Sequence, residues 1–192
     1  MSVKLPLAEI INAIYPLPQA SYAALEAHIQ LKEFASNSCI IQADIIDHRI
    51  YFVRKGVVRA YSPLPDQDIT FWFGQEGSTV ISLNSYIRNG TGYETIETLE
   101  NCELYCLDAR ELHKLYEQDI AIANWGRKLA ELELLKTEER LIIQQSYNAT
   151  KRYQLFFESN ASLLQRVNLG YIASYLGITQ VSLSRIRAEV DF

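Results

Sequence analysis

The chain has 192 residues, of which 48% are hydrophobic and 21% are charged, and its formal net charge is −5. This composition is typical of a folded globular protein and excludes an intrinsically disordered one. No apolar run reaches the about 18 residues that a membrane-spanning helix needs, and residues 1–6 lack the apolar core of a signal peptide, so we expect a cytoplasmic protein with no membrane partner.

The N-terminal residues predict two short helices. Apolar side chains recur at helical spacing over residues 7–15 and again over residues 19–28, where Tyr22, Leu25 and Ile29 share one face.

A succession of short strands follows the two helices. Runs rich in β-branched and aromatic residues are separated by turn residues such as glycine, proline and asparagine. The predicted strands cover residues 39–41, 50–53, 57–61, 69–73, 94–99 and 103–107. Six or more strands at this spacing predict a β-sandwich or a small barrel.

The cysteines and histidines form no recognisable catalytic or metal-binding motif. Cys39, Cys102 and Cys106 are an odd set without a CxxC pair, and we expect free thiols. Cys102 and Cys106 share a strand face, so a metal-binding or redox pair is one interpretation. Two small buried side chains are the simpler interpretation. We therefore predict no enzyme, no catalytic residues, no metal site and no resident cofactor.

A long helix is predicted from Asp119 to about residue 147, after a short helix that Asp108 caps. At about 1.5 Å per residue the long helix spans roughly 40 Å. Packing of its apolar stripe on its own barrel is one interpretation, and a two-fold seam between protomers is the one that we favour. The predicted stripe comprises Ile122, Trp125, Leu129, Leu132, Leu135, Ile142 and Ile143.

The charge changes sign along the chain. The last 46 residues carry five basic and three acidic side chains, for a net +2, which leaves −7 on residues 1–146. The acidic total therefore does not argue against a basic C-terminal module that contacts nucleic acid.

The strongest motif is a helix-turn-helix pattern over residues 169–186. Gly177 stands where a sharp turn needs a positive φ, and Ala173 stands where two helices approach closely. Apolar residues occupy the remaining positions of the pattern, at Ile172, Leu176, Ile178, Leu183 and Ile186.

The second helix of the motif offers the candidate DNA contacts. Such a helix enters the major groove with its N-terminal side chains toward the base edges. Arg185 suits guanine, Gln180 suits adenine, and Val181 suits a thymine methyl group. Thr179, as the helix cap, and Ser182 are better placed for phosphates. Tyr171 and Ser174 of the first helix are weaker phosphate candidates.

Together these features resemble the cyclic-AMP receptor/fumarate-nitrate regulator (Crp/Fnr) family of bacterial transcription factors. Residues 44–61 are similar to its strand–glycine–strand signature, residues 172–179 and 183–187 to its helix-turn-helix, and residues 151–153 to its hinge region. The resemblance implies an α+β fold with a double-stranded β-helix (jelly roll) barrel at residues 1–118. A long dimerisation helix at 119–147 and a helix-turn-helix domain at 148–192 complete the expected organisation.

The resemblance fails at the phosphate-binding residues of the family's cyclic-AMP pocket. The arginine position falls on Gly92, its neighbour on Tyr93, and the glutamate position near Ser82. Arg88 replaces the missing charge only if the loop bends differently. The expected effector pocket therefore comprises Trp72, Ser82, Arg88 and Tyr93, and it holds a molecule other than cyclic AMP or is filled by Trp72 and Tyr93.

The leading hypothesis is a homodimeric transcription regulator that binds a palindromic operator in double-stranded DNA, with half-sites about 34 Å apart. RNA polymerase is a further candidate partner. The alternative is a small-molecule sensor and interaction module that does not bind DNA.

Overall fold

Two antiparallel sheets and their flanking helices make up the first part of the chain. The computed structural model describes residues 4–189. Helices α1 (Leu7–Ile14) and α2 (Gln19–Glu26) precede the strands, and helix α3 (Leu83–Arg88) interrupts them. The strands are β1 (Ile29–Phe34), β2 (Cys39–Ile41), β3 (Arg49–Lys55), β4 (Val58–Pro63), β5 (Asp68–Gly74), β6 (Thr79–Val80), β7 (Thr95–Thr98) and β8 (Cys102–Asp108).

The strands alternate between the two sheets in jelly-roll fashion. One sheet has the order β1-β8-β3-β6 and the other the order β2-β7-β4-β5, and each neighbouring pair is antiparallel. The predicted double-stranded barrel is therefore confirmed. Strand β5 lies at an edge of the second sheet, where its outer face is free to receive another element.

The prediction that Ile29 lies on the second helix is wrong. Helix α2 ends at Glu26, and Ile29 begins β1, which pairs with β8 from Ile29↔Leu107 onward. A single apolar residue four positions after Leu25 fits a helix and a strand equally well, and the pairing with β8 decides between them.

Strand β3 shows how the core divides into two layers. Ile50 and Phe52 point toward the helices, whereas Tyr51 and Val53 point between the sheets, as the two-residue period of a strand requires. All four side chains are buried, so β3 contributes to both layers.

The long helix is α5 (Ile120–Ser146), which follows α4 (Ala109–Gln118). Asp108 caps α4 as predicted, since its carboxylate accepts from the backbone N–H of Arg110. Asp119, where the long helix was predicted to start, caps α5 by accepting from the backbone N–H groups of Ala121 and Ile122. The beginning of α5 packs on its own barrel. There Trp125 is fully buried, lies edge-on to Phe52 and donates its indole N–H to the carbonyl oxygen of Ile11 at 3.0 Å.

The second half of α5 presents a different stripe from the predicted one. Ile122 and Trp125 are buried within the protomer, so they are not part of any seam between protomers, and that part of the prediction is wrong. The large apolar side chains that are at least half exposed in the second half of α5 are Leu134 (71%), Leu135 (50%), Leu141 (54%) and Ile142 (51%). We call these four residues the α5 stripe.

Four helices follow α5: α6 (Ala149–Asn160), α7 (Leu163–Arg166), α8 (Leu169–Tyr175) and α9 (Gln180–Glu189). Their apolar faces form a third core cluster that also includes Val57, Phe73 and Leu99 of the barrel. The C-terminal helices are therefore packed on the barrel. Within residues 4–189, none of the helices is both long enough and apolar enough to cross a membrane.

Candidate functional sites

Helices α8 and α9 form the predicted helix-turn-helix. Gly177 has φ of +66°, the left-handed conformation that the pattern predicts at this position. The backbone N–H of Ile178 donates to the carbonyl oxygen of Ala173 at 3.0 Å and closes the turn. Leu183 and Ile186 are buried against α8, and the rest of α9 faces outward.

The five candidate DNA contacts lie together at the start of α9. The side chains of Thr179, Gln180, Val181 and Arg185 are exposed and that of Ser182 is half-buried. Val181 is 61% exposed, so its methyl groups are accessible to a partner. Arg185 has no ion-pair partner within residues 4–189.

The two hydroxyl groups of this set are already hydrogen-bonded. Thr179 caps α9, since its Oγ1 accepts from the backbone N–H of Ser182 at 3.1 Å. The Oγ atoms of Thr179 and Ser182 lie 2.9 Å apart. Both groups retain capacity for a further acceptor or donor, which a phosphate oxygen can use.

Helix α8 is attached to strand β5 of the barrel. Ser174 Oγ accepts from the backbone N–H of Thr70 at 2.9 Å and donates to the carbonyl oxygen of Asp68 at 3.1 Å. The otherwise open edge of β5 is thus covered by a helix. Ser174, a candidate phosphate contact in the sequence, is occupied by the barrel in this conformation.

A buried arginine also holds helix α8 against the barrel. The guanidinium of Arg59, 1% exposed, lies 4.1 Å from the ring centre of Tyr61 and 3.7 Å from that of Tyr171 on α8. Its nitrogens pair with the carboxylates of Asp68 at 3.2 Å and Glu97 at 3.3 Å. Tyr171 therefore makes a cation–π contact with the barrel, which holds one face of its ring against Arg59.

A second arginine joins α7 to the barrel. Arg166 donates to both carboxylate oxygens of Glu76, at 2.8 and 3.0 Å, and also to Glu100. Burial acts to raise the pKa of Glu76, but hydrogen bonds from Arg166 and from the backbone N–H of Gly56 outweigh it and hold that pKa below its ordinary value. This bidentate pair is the stronger kind of ion pair between two elements.

The barrel contains a cavity of about 170 Å³ between the second sheet and α5. Phe71, Trp72 and Tyr93 supply aromatic walls, and Glu133, Thr137 and Arg140 of α5 close the opposite side. The Phe71 and Tyr93 ring centres lie 5.9 Å apart. Two of the four predicted pocket residues, Trp72 and Tyr93, thus line one cavity, and they leave it open rather than filling it.

Ser82 and Arg88 lie elsewhere. Ser82 is fully buried and its Oγ donates to Ser85 Oγ at 3.1 Å, next to the cavity but outside its lining. Arg88 ends α3 with an exposed side chain and does not line the cavity. A Cβ at Gly92 would lie 2.7 Å from Ser82 Oγ, so no larger residue, an arginine included, fits at that position without displacing its neighbours.

Glu94 is a lining residue that sequence reasoning did not identify. It is 4% exposed, and neither carboxylate oxygen has a hydrogen-bond partner among the described residues. Burial raises the pKa of the neighbouring Tyr93, the Glu94 carboxylate raises it further, and Arg140 acts in the opposite direction. The alternation of Glu94, Ile96 and Thr98, which are all buried, is the signal that would have placed Glu94 on the inner face.

Comparison with known proteins agrees with this architecture. Residues 31–119 match the cyclic nucleotide-binding domain. No curated protein sequence matches the chain.

Solved structures of Crp/Fnr-type regulators superpose on most of the chain. FixK2 from Bradyrhizobium japonicum is 18% identical, with a TM-score of 0.71 over 84% of this chain and 83% of its own. The c-di-GMP-responsive regulator CLP from Xanthomonas campestris is 15% identical, with a TM-score of 0.69 over 90% and 91%. A Eubacterium rectale protein assigned to the Crp/Fnr family is 15% identical, with a TM-score of 0.72 over 92% and 87%. At these identities the likeness establishes the fold: a cyclic nucleotide-binding barrel, a long helix and a helix-turn-helix.

Proposed function

We propose, from the Crp/Fnr fold of this chain and its cyclic nucleotide-binding domain, that the protein is a homodimeric transcription regulator that binds double-stranded DNA and does not respond to cyclic AMP. The observation that carries the proposal is the exposure of Gln180, Val181 and Arg185 on α9, the second helix of the helix-turn-helix. These side chains match the hydrogen-bonding and methyl groups of the major groove. DNA binding by such a regulator places the protein in the cytoplasm, with RNA polymerase as a candidate partner there.

The α5 stripe supports the homodimer. Leu134 and Leu141 are seven residues apart, as are Leu135 and Ile142, so the two pairs lie on one side of the helix. A two-fold axis along α5 would cover all four side chains in both protomers. The same axis would present two α9 helices to a palindromic site, with half-sites about one helical turn, or 34 Å, apart.

The position of β5 supports communication between the cavity and the DNA-binding helices. Trp72 of β5 lines the cavity, while Thr70 and Phe73 of the same strand contact α8 and the C-terminal cluster. Arg140 of α5 donates to the carbonyl oxygen of Phe71 at 2.7 Å, which ties the long helix to this strand. A molecule that binds one arrangement of β5 and α5 more tightly would therefore also bias the position of α8 and α9.

The absence of cyclic-AMP recognition follows from Gly92 and Glu94. A phosphate needs a charge-assisted donor, and the position at which the family resemblance expects arginine is an enclosed glycine. The nearest buried charged group is the Glu94 carboxylate, which repels an anion.

A mobility-shift experiment tests the proposal. The wild-type chain is expected to retard DNA from upstream of its gene, with an affinity that falls as salt rises. The Gln180→Ala/Arg185→Ala variant, which changes only exposed side chains, is expected to lose sequence preference while keeping its fold. Equal retardation by both proteins, or by neither, would overturn the proposed role of α9.

A sensor and interaction module that does not bind DNA is the second candidate. The engagement of Tyr171 and Ser174 by the barrel favours it, because both side chains are then withheld from phosphates. The net charge of only +2 on the last 46 residues points the same way. Small-molecule binding at the cavity in a protein with no DNA affinity would select this candidate over the first.

A further inference from the structure

The Glu94 carboxylate is buried without a partner in the cavity wall. A charged group removed from water without hydrogen bonds is unfavourable by several kcal/mol, and such groups in folded proteins are normally paired. Glu94 is 4% exposed and both of its oxygens lack a partner within residues 4–189. The neighbouring hydroxyl of Ser82 donates to Ser85 and so does not supply the missing hydrogen bond.

The other charged side chains of the cavity wall already have partners. Glu133 pairs with Lys136 on the same helix at 2.8 Å. Arg140 directs one of its nitrogens to the carbonyl oxygen of Phe71 at 2.7 Å. Glu94 is therefore the one charged side chain of this lining whose charged atoms have no hydrogen-bond partner in the described chain.

Aromatic walls and a buried carboxylate together recognise one chemical class. The ring faces of Phe71, Trp72 and Tyr93 attract a cation and also pack against an apolar group. The volume of about 170 Å³ lies below the range of about 300–1,000 Å³ that is typical of pockets for drug-sized ligands, so the occupant is small.

We propose that this cavity binds a small organic cation, an ammonium or amidinium group on a compact apolar or aromatic body, with Glu94 as the anionic anchor. The cation donates to the Glu94 carboxylate, whose oxygens are buried beside Gly92, and its body lies against Trp72 and Phe71. The inference deepens the proposed function by naming the effector class, and its effector role rests on that proposal. The binding itself is tested without DNA.

Binding of matched probes tests the charge preference directly. The probes are 2-phenylethylammonium and 3-phenylpropionate, which share a ring and a short chain but carry opposite charges, and cyclic AMP. Trp72 is the reporter, because the second tryptophan, Trp125, is fully buried outside the cavity lining. The Trp72→Phe variant, followed by calorimetry, provides the control for the fluorescence signal.

We expect the ammonium probe to bind at least about tenfold more tightly than the carboxylate probe, the ratio that corresponds to one charge-assisted hydrogen bond. Stronger binding of 3-phenylpropionate or cyclic AMP would overturn the inference. So would a failure of all three probes to bind at millimolar concentration.

Two glutamine variants identify the anchor. Glu94→Gln keeps the side-chain shape and is expected to weaken binding of the ammonium probe about tenfold or more. Glu117→Gln, an exposed carboxylate on α4 outside the cavity lining, is the matched control and is expected to change it less than about twofold, because solvent and salt screen a distant surface charge. Equal effects of the two variants would refute the role of Glu94. If Glu94→Gln does not fold by circular dichroism, the wild-type comparison of the two probes still decides the question.

The outcome is independent of DNA binding. Loss of ammonium selectivity in a protein that still binds DNA refutes the cation site alone. Ammonium selectivity in a protein that never binds DNA refutes the proposed regulator and leaves the cation site standing.

Discussion

Lysine substitution in the α5 stripe is expected to separate the proposed dimer into monomers. The double variant Leu134→Lys/Leu141→Lys places a charge at the same position of two successive heptads. In each protomer these two leucines are 71% and 54% exposed. Together they leave the equivalent of about one and a quarter leucine side chains exposed, which a dimer interface would bury.

The magnitude follows from that exposure. Burying one leucine fully stabilises by about 1.5–3 kcal/mol, so two protomers gain about 4–7 kcal/mol from these positions. Loss of this stabilisation is expected to raise the dimer dissociation constant by about a thousandfold to a hundred-thousandfold. Repulsion between the four lysines would raise it further. Since both side chains point outward, the folded protomer itself should lose little stability.

Sedimentation equilibrium measures this effect. The control is Leu31→Lys/Ile45→Lys, which changes two apolar residues of similar exposure, 45% and 48%, on the barrel. We expect the wild type and the control to be dimers and the α5 variant to be a monomer with an unchanged circular dichroism spectrum. A monomeric wild type, or an α5 variant that remains a dimer with the same dissociation constant, would refute the reasoning.

Three further predictions concern single side chains. Arg185→Ala is expected to cost about 1–3 kcal/mol of DNA affinity at one base pair only, measured by binding to single-base operator variants; a uniform loss on all sequences would make Arg185 a phosphate contact. Because the pKa of Glu76 is held below its ordinary 4.5, its contribution to stability is present above 4.5 and is lost as pH falls through the lowered pKa. The melting temperature of Arg166→Gln should therefore fall less steeply with acid than that of the wild type, and parallel curves would argue against the ion pair. Gly56→Ala is expected to destabilise by about 2 kcal/mol or more in denaturant unfolding, because φ is +113° and the new Cβ would lie 2.4 Å from Cys102 Sγ; an unchanged midpoint would contradict this.

Local features were predictable because local chemistry determines them. The turn of the helix-turn-helix needs a residue with positive φ, and Gly177 supplies it. Thr179, Asp108 and Asp119 cap helices within two or three residues of their own positions. Each of these rests on backbone geometry that a short stretch of sequence specifies by itself.

Features that depend on distant partners were not predictable in the same way. Helical spacing on α5 does not reveal that Trp125 packs on Ile11 and Phe52, so the predicted stripe mixed buried and exposed residues. Strand β6 and helix α3 are too short for their sequences to show a strand or helix periodicity. Strand β6 is defined by its pairing with β3. The burial of Arg59 depends on Tyr171, more than a hundred residues away.

The candidate sites divide in the same manner. The candidate DNA contacts could be chosen from one stretch of seven residues, because the start of a helix exposes the side chains of its first turn. The cavity required the sheet, the loop before β7 and α5 to be assembled, so Trp72 and Tyr93 were found but Glu94 and Arg140 were not. Glu94 lies just before β7. Placing it on the inner face required the alternation of the strand to be extended from Ile96 back to Glu94.

Selection of DNA from a random library tests the central claim most directly. The wild-type protein and the Gln180→Ala/Arg185→Ala variant are each used to enrich bound double-stranded fragments, and the enriched sequences are compared. The account predicts that the wild type enriches a two-fold symmetric sequence whose half-sites are centred about 34 Å apart, and that the variant does not enrich it. The same sequences from both proteins, or no enrichment by the wild type, would contradict DNA recognition through α9.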